Sequence, residues 1–225
     1  MEHIQICKQR WFQTWKHLDA RGSPSAIWQR IAEQYSEPHR HYHTLGHIHQ
    51  CLNQLETVWN KVPNPYILSW SLWFHDYVYD IGSDWNEQRS AIESMRVATA
   101  AKLSGEFATT TCLLIVATKR HQVVEIPHIP RTYMEIFLDI DLSILGKPWK
   151  QYLEYCKNIR EEYKNHFSWE IFSAGRADIL ENFLKREALF HYPPFRDLYE
   201  RRARENLARE INILRTMNQE DAYAS

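Results

Sequence analysis

The stretch Asn64-Pro65-Tyr66-Ile67-Leu68-Ser69-Trp70-Ser71-Leu72-Trp73-Phe74-His75-Asp76 decides how this chain is read. Asparagine followed by proline is an N-cap with proline in the first helical turn, where its missing N–H leaves no bond unmade. Tyr66 to Phe74 is apolar nearly all round and lacks period-two alternation, which favours a buried central helix over a buried strand. The helix closes on a histidine and an aspartate, so both polar groups are carried into or beside the core. Burying an ionised carboxylate without a partner is costly, and a metal ion is one of the few partners able to offset that cost. His75 and Asp76 are therefore the first candidates for metal ligands.

Working outward, apolar residues recur three and four apart over residues 4–18, 26–35, 45–59, 87–103, 109–118 and 133–145. Ser23-Pro24 repeats the N-cap and proline signature. Gly146 and Pro148 mark a stop and a restart, followed by helical patterns over 149–163, 169–184 and 195–214. The last of these mixes Arg201, Arg202 and Arg204 with Glu200, Glu205 and Glu210, the pattern of a solvated face laced by i,i+4 pairs. No repeat, low-complexity tract or Gly/Ser linker interrupts the chain. The expected fold class is all-α: a single domain of nine or ten helices over residues 1–218, with 219–225 a flexible tail.

Composition narrows the function classes. With 27 basic against 28 acidic side chains there is no basic excess, so nucleic acid gains no support as a partner. A small phosphate ester in a local positive pocket stays open. Cys7, Cys51, Cys112 and Cys156 form no C-x-x-C pair, which argues against a structural zinc knuckle and a secreted disulfide framework. Met1 to Trp15 carries charges at Glu2, Lys8 and Arg10 and does not read as a signal peptide, and no apolar stretch approaches the length of a membrane span. A soluble, cytoplasmic protein is expected.

Histidine is abundant, at 12 residues, and five of them fall between His39 and His49. His43 and His47 are four apart, so on a helix they project from one face. That spacing alone is a weak sign of metal, because no glutamate follows His43 as it does in zincins. Downstream, two aspartates interrupt the apolar run Phe137-Leu138-Asp139-Ile140-Asp141-Leu142-Ser143-Ile144-Leu145-Gly146. Asp141 has apolar residues at every helical neighbour position and is expected to face inward. Asp139 could accept a hydrogen bond from a ligating histidine or face water.

An upstream histidine, then His-Asp on a buried helix, then a distant aspartate resembles the ligand pattern of the HD superfamily of metal-dependent phosphohydrolases. Tyr42-His43-Thr44-Leu45-Gly46-His47 is also similar to the start of the cyclic-nucleotide phosphodiesterase pattern, in a distant relative of that superfamily. A closer resemblance, to a bacterial family of predicted HD phosphohydrolases, covers about residues 38–146. It rests on Arg40-x-Tyr42-His43, Phe74-His75-Asp76-x-x-Tyr79, Asn86-Glu87-x-x-Ser90-Ala91, Ala117-Thr118-Lys119-x-His121 and Asp139-x-Asp141-Leu142-x-x-Leu145-Gly146. It extends more weakly to Ala203-Arg204-Glu205-Asn206. The resemblance implies an HD-type helical bundle with a C-terminal helical extension and its metal-binding core at 38–146. It further implies His47, His75, Asp76 and Asp141 as metal ligands and His43 as the proton donor to a leaving group. No H-D-x-x-H continuation follows Asp76, so the histidine of the usual second-metal site is missing. His121 could supply a ligand to a second ion, bind phosphate, or be a hydrogen-bonded histidine at a helix end.

Two imidazoles and two carboxylates suit a divalent ion such as Mn, Fe, Ni, Co, Zn or Mg and single none out. Such an ion would leave positions open for water and would polarise a phosphoryl oxygen. Arg40 and Lys119 are the candidate grips for substrate phosphate, bidentate and point-like respectively. Glu87, on the helix after the His-Asp pair, is a candidate to orient a ligand or water. The aromatic abundance is read as core packing before base stacking. The function expected is hydrolysis of a small phosphorylated, nucleotide-like substrate, by a chain that could form a homo-oligomer. The alternatives are a di-iron oxygenase on the same fold and a non-catalytic nucleotide- or metal-binding module.

Overall fold

The computed structural model describes residues 2–218 and 222–223. Among the described residues there are ten α-helices, two short 3-10 segments and no strand, so the chain is all-helical as expected. Internal packing groups it into two compact units, Met1–Ile140 and Asp141–Ser225.

The first unit is built from α1 (Glu2–His17), α2 (Pro24–Gln34), α3 (Leu45–Thr57), α4 (Pro65–Phe74), α5 (Asn86–Ala100), α6 (Gly105–Ala117) and α7 (Arg131–Asp141), whose last residue crosses the boundary. Helix α4 is the hub, packed against α1, α3, α5 and α6. Asn64 caps it as the sequence implied, its side chain accepting from the Tyr66 N–H at 3.2 Å. Leu68 through His75 are all buried. A helix this apolar on every face is stable only when neighbours cover every face, and four helices do.

Tryptophan fills much of this core. The rings of Trp11 and Trp70 are 5.4 Å apart, Trp11 and Trp73 5.9 Å, and Trp28 and Trp73 6.0 Å, within the range of favourable aromatic pairs. Two of these indoles also find acceptors: Trp11 Nε1 donates to the Pro24 carbonyl and Trp70 Nε1 to Ser94 Oγ. Core packing thus accounts for these aromatics. Ser69 on α4 and Thr14 on α1, both buried, bond each other through their hydroxyls at 3.0 Å.

Three helix boundaries differ from the sequence expectation. The 45–59 segment ends as helix at Thr57 and continues as a 3-10 turn, Trp59–Lys61. Val62 is then extended, as a residue before proline must be. Helix α6 starts at Gly105 rather than 109, because Ser104 Oγ accepts the Phe107 N–H at 3.1 Å. The 133–145 segment leaves the α-helix at Asp141 and tightens into a 3-10 turn, Leu142–Gly146.

The second unit carries that turn with α8 (Trp149–Tyr163), α9 (Trp169–Leu184) and α10 (Pro193–Thr216). A Cβ on Gly146 would lie 2.5 Å from Tyr199 Cβ, so only glycine lets the turn approach α10 this closely. The charged face of α10 is partly as expected, with Arg201–Glu205 and Arg204–Glu200 pairs at 2.7 Å. Glu210 is the exception. It is fully buried, paired with Arg176 on α9 and hydrogen-bonded by Tyr152 on α8. Of the tail expected from 219 onward, residues 219–221 and 224–225 lie outside the described residues. Ala222 is buried, and Tyr223 donates its hydroxyl to Glu210 at 3.2 Å.

Candidate metal centre

Three helices bring the ligand candidates together. His47 lies in the first turns of α3, His75 and Asp76 follow directly after α4, and Asp141 ends α7. One donor atom from each of the four falls within 4.8 Å of all the others. His47 and His75 are buried, and Asp76 and Asp141 are half-buried, so the group opens on its carboxylate side.

The separations fit a shared cation. His47 Nε2 and His75 Nε2 are 3.1 Å apart, and Asp76 Oδ2 is 3.0 Å from His75 Nε2 and 3.6 Å from His47 Nε2. Donors bonded to one ion at about 2.1 Å sit roughly 3.0–3.4 Å from their neighbours. His75 Nδ1 lies 3.0 Å from the Leu72 carbonyl oxygen, which can only accept, so Nδ1 carries the proton and Nε2 offers a lone pair. Two ring nitrogens meeting beside a carboxylate could hold a divalent ion, which this N/O donor set suits.

The end of α4 is what makes the site. A helix leaves its last carbonyls without intrahelical donors, and burial makes each unmade bond expensive. Here they are met one by one. His75 Nδ1 serves Leu72, the Tyr35 hydroxyl donates to Trp73 at 3.2 Å, and the Tyr77 N–H bonds Phe74 at 3.1 Å. Arg40 serves Asp76 and Tyr77 at 2.7 and 2.9 Å. Burial, and then the Asp76 charge, push the Tyr35 phenol well above its ordinary pKa, so it stays a neutral donor. The loop that follows is pinned to α5. Ser90 Oγ accepts the Val78 N–H at 2.9 Å, and the Asn86 side chain exchanges two bonds with the Asp80 backbone.

His43 lies just outside the helix that carries His47. Thr44 is the N-cap of α3, its Oγ1 accepting from the Gly46 N–H, so His43 lies in the preceding turn. It still stays beside the group: its ring is 6.0 Å from that of His47 and 4.2 Å from that of Tyr79. Arg40, expected to grip phosphate, is instead buried and committed. Its guanidinium donates to Glu37 Oε2 and to the backbone oxygens of His43, Asp76 and Tyr77. The resemblance flagged the residue, but sequence could not distinguish a phosphate grip from a backbone brace.

The other candidates stay outside the four-donor group. Glu87 is half-buried in the first turn of α5. Lys119 is exposed, with Nζ donating to the Asp84 carbonyl beside the Trp85 ring. His121 follows α6 with a left-handed backbone, φ 46°, its N–H bonded to Ala117. Asp139 is fully buried, which removes the water-facing alternative. Sequence reasoning missed Tyr35 and Cys51. Cys51, one helical turn after His47, places its Sγ 3.6 Å from His47 Nε2. Their signal, a polar residue one turn from a ligand or at a helix end, is too common to stand out.

No family model, curated protein or solved structure matches this chain. Among the described residues no helix is long and apolar enough to cross a membrane.

Proposed function

We propose that this chain is a metal-dependent phosphohydrolase, cleaving a phosphomonoester or phosphodiester of a small, nucleotide-like substrate with water as the nucleophile. The observation that supports the reading is the convergence of His47, His75, Asp76 and Asp141 within 4.8 Å. These four would hold one divalent ion. Bound there, it would lower the pKa of water and polarise a phosphoryl oxygen.

The chain's own residues divide the remaining work. Asp76 and Asp141 bring negative charge on the more open side of the group and favour a cation there. His43, next to His47 but outside the ligand set, is placed to hold a proton for a departing alkoxide, a role typically worth about 10²–10⁴-fold. In this reading Arg40 braces the site rather than gripping phosphate, since four of its N–H groups are spent on protein oxygens. Oxygen chemistry at two irons would ask for a second histidine set, and His121 is not among the converging donors.

The test is metal content of protein purified without a histidine tag, followed by turnover. Substrates are bis-p-nitrophenyl phosphate and nucleoside mono- and diphosphates, with added Mn²⁺ or Ni²⁺. About one bound ion per chain and turnover lost in Asp76→Ala are expected. Turnover in the wild type no higher than in Asp76→Ala, across all metals and substrates, sinks the proposal.

A further inference from the structure

Arg40 is buried to 5% exposure, in a segment that belongs to no helix. A buried guanidinium is costly unless its donors are satisfied, and here four acceptors surround it. Nε donates to Glu37 Oε2 at 2.9 Å, one terminal nitrogen to the carbonyls of Asp76 and His43 at 2.7 and 3.3 Å, and the other to the Tyr77 carbonyl at 2.9 Å. The plane also lies against two rings, with its central carbon 5.1 Å from the Tyr35 centroid and 5.4 Å from that of Tyr79.

These partners are not a random set. His43 begins the segment that leads into α3 and His47, while Asp76 and Tyr77 belong to the turn carrying the His-Asp pair. Tyr35 holds the Trp73 carbonyl in the last turn of α4, just before that turn, and the Tyr79 ring rests on His43. One side chain therefore fastens the turn holding two ligands to the turn holding the candidate proton donor. Both segments have left regular structure, so neither backbone is held by a helical ladder of its own.

We infer that Arg40 is the positioning residue of the metal centre: it sets the spacing between the His43–His47 segment and the His75–Asp76 turn through its planar fork. The inference rests on the metal-centre reading. Lysine keeps the charge but cannot span the same acceptors, having a single nitrogen. Residues that orient metal ligands typically cost about 10–100-fold in metal affinity when altered.

The experiment is a comparison of Co²⁺ binding, by titration calorimetry and by the visible absorption of the bound ion. It uses wild type, Arg40→Lys, Glu37→Ala and Glu93→Gln. Glu93→Gln is the control: it loosens an ion-pair cluster in the same unit that meets the Tyr77 side chain but none of the oxygens Arg40 bonds and none of the four ligand candidates. Expected is an at least about 10-fold weaker Kd with an altered spectrum for Arg40→Lys, a several-fold weaker one for Glu37→Ala, and wild-type binding for Glu93→Gln. If Arg40→Lys does not fold, Glu37→Ala carries the test alone, because it removes the acceptor that aims the fork. Wild-type affinity and spectrum in every folded variant of this pair overturn the inference. So does an equal weakening in Glu93→Gln, which would make the effect one of general stability. A wild type that binds no Co²⁺ overturns the metal-centre reading itself, a separate result.

Discussion

His47 and His75 point their Nε2 atoms at each other across 3.1 Å, and the far nitrogen of His75 is held by the Leu72 carbonyl. The His75 ring cannot turn its lone pair elsewhere without losing its buried bond to Leu72. A divalent ion binding only the folded state at 100 times its Kd adds about 2.7 kcal/mol of stability, roughly 5–10 °C in Tm for a chain of this size. Mn²⁺, Ni²⁺ or Co²⁺ should raise the melting temperature of the wild type by that order, and EDTA should reverse it. His47→Ala should show no rise. A wild-type Tm indifferent to all three ions would speak against the centre.

Ser90 is fully buried and holds the Val78 N–H two residues after Asp76. Ser90→Ala leaves that amide without its acceptor, at a cost of about 1–3 kcal/mol. Urea denaturation checks this, with the midpoint lowered and the slope unchanged. Amide exchange at Val78 should accelerate in the variant.

Glu93 gives a pH signature with a defined sign. Its carboxylate takes two bonds from Arg96, at 2.7 and 2.8 Å, and one from Arg30 on α2. Burial pushes its pKa up, but the Arg96 hydrogen bonds and the Arg30 charge outweigh burial and leave it below the ordinary 4.5. A depressed carboxylate contributes stability above its unfolded pKa and loses that contribution as pH falls through the folded one. Wild type should therefore lose stability faster than Glu93→Gln on acidification from about pH 4.5 downward. Denaturation midpoints of the two proteins across that range are the measurement, and parallel curves would refute it.

In the second unit, Glu210 is fully buried and bonded by Arg176, Tyr152 and Tyr223. Glu210→Ala strands a largely buried guanidinium, with its side chain 12% exposed, so a loss of about 3 kcal/mol is expected. Replacing Glu210 and Arg176 together by apolar residues should cost less than the single change, which a double-mutant cycle measures.

Gly146→Ala sets a methyl group 2.8 Å from the Tyr199 Cα, where backbone must move. Overpacking of this kind costs about 1–3 kcal/mol. Thermal unfolding should show the loss, and truncating Tyr199 should not restore it, because the clash includes main chain.

Local pattern is enough for the helices and the hub. An Asn-Pro start and a nine-residue apolar run admit one economical solution, a helix covered on all sides, and α4 is that helix. The same helix singled out His75-Asp76, because a carboxylate at its end is carried partly out of solvent. Helical period brought Asp141 inward, since its neighbours on every side are apolar. What each remaining polar residue does depends on contacts between distant segments. Arg40 read as a phosphate grip and is a backbone brace, and Glu210 read as a surface charge and is buried. His43, four residues before His47, sits in the turn before the α3 cap, where only tertiary contacts hold it beside the ligand candidates. Local pattern is governed by periodicity, which sequence contains. The partner of a long polar side chain is chosen among carbonyls and carboxylates tens of residues away, and only folding brings those within 3 Å.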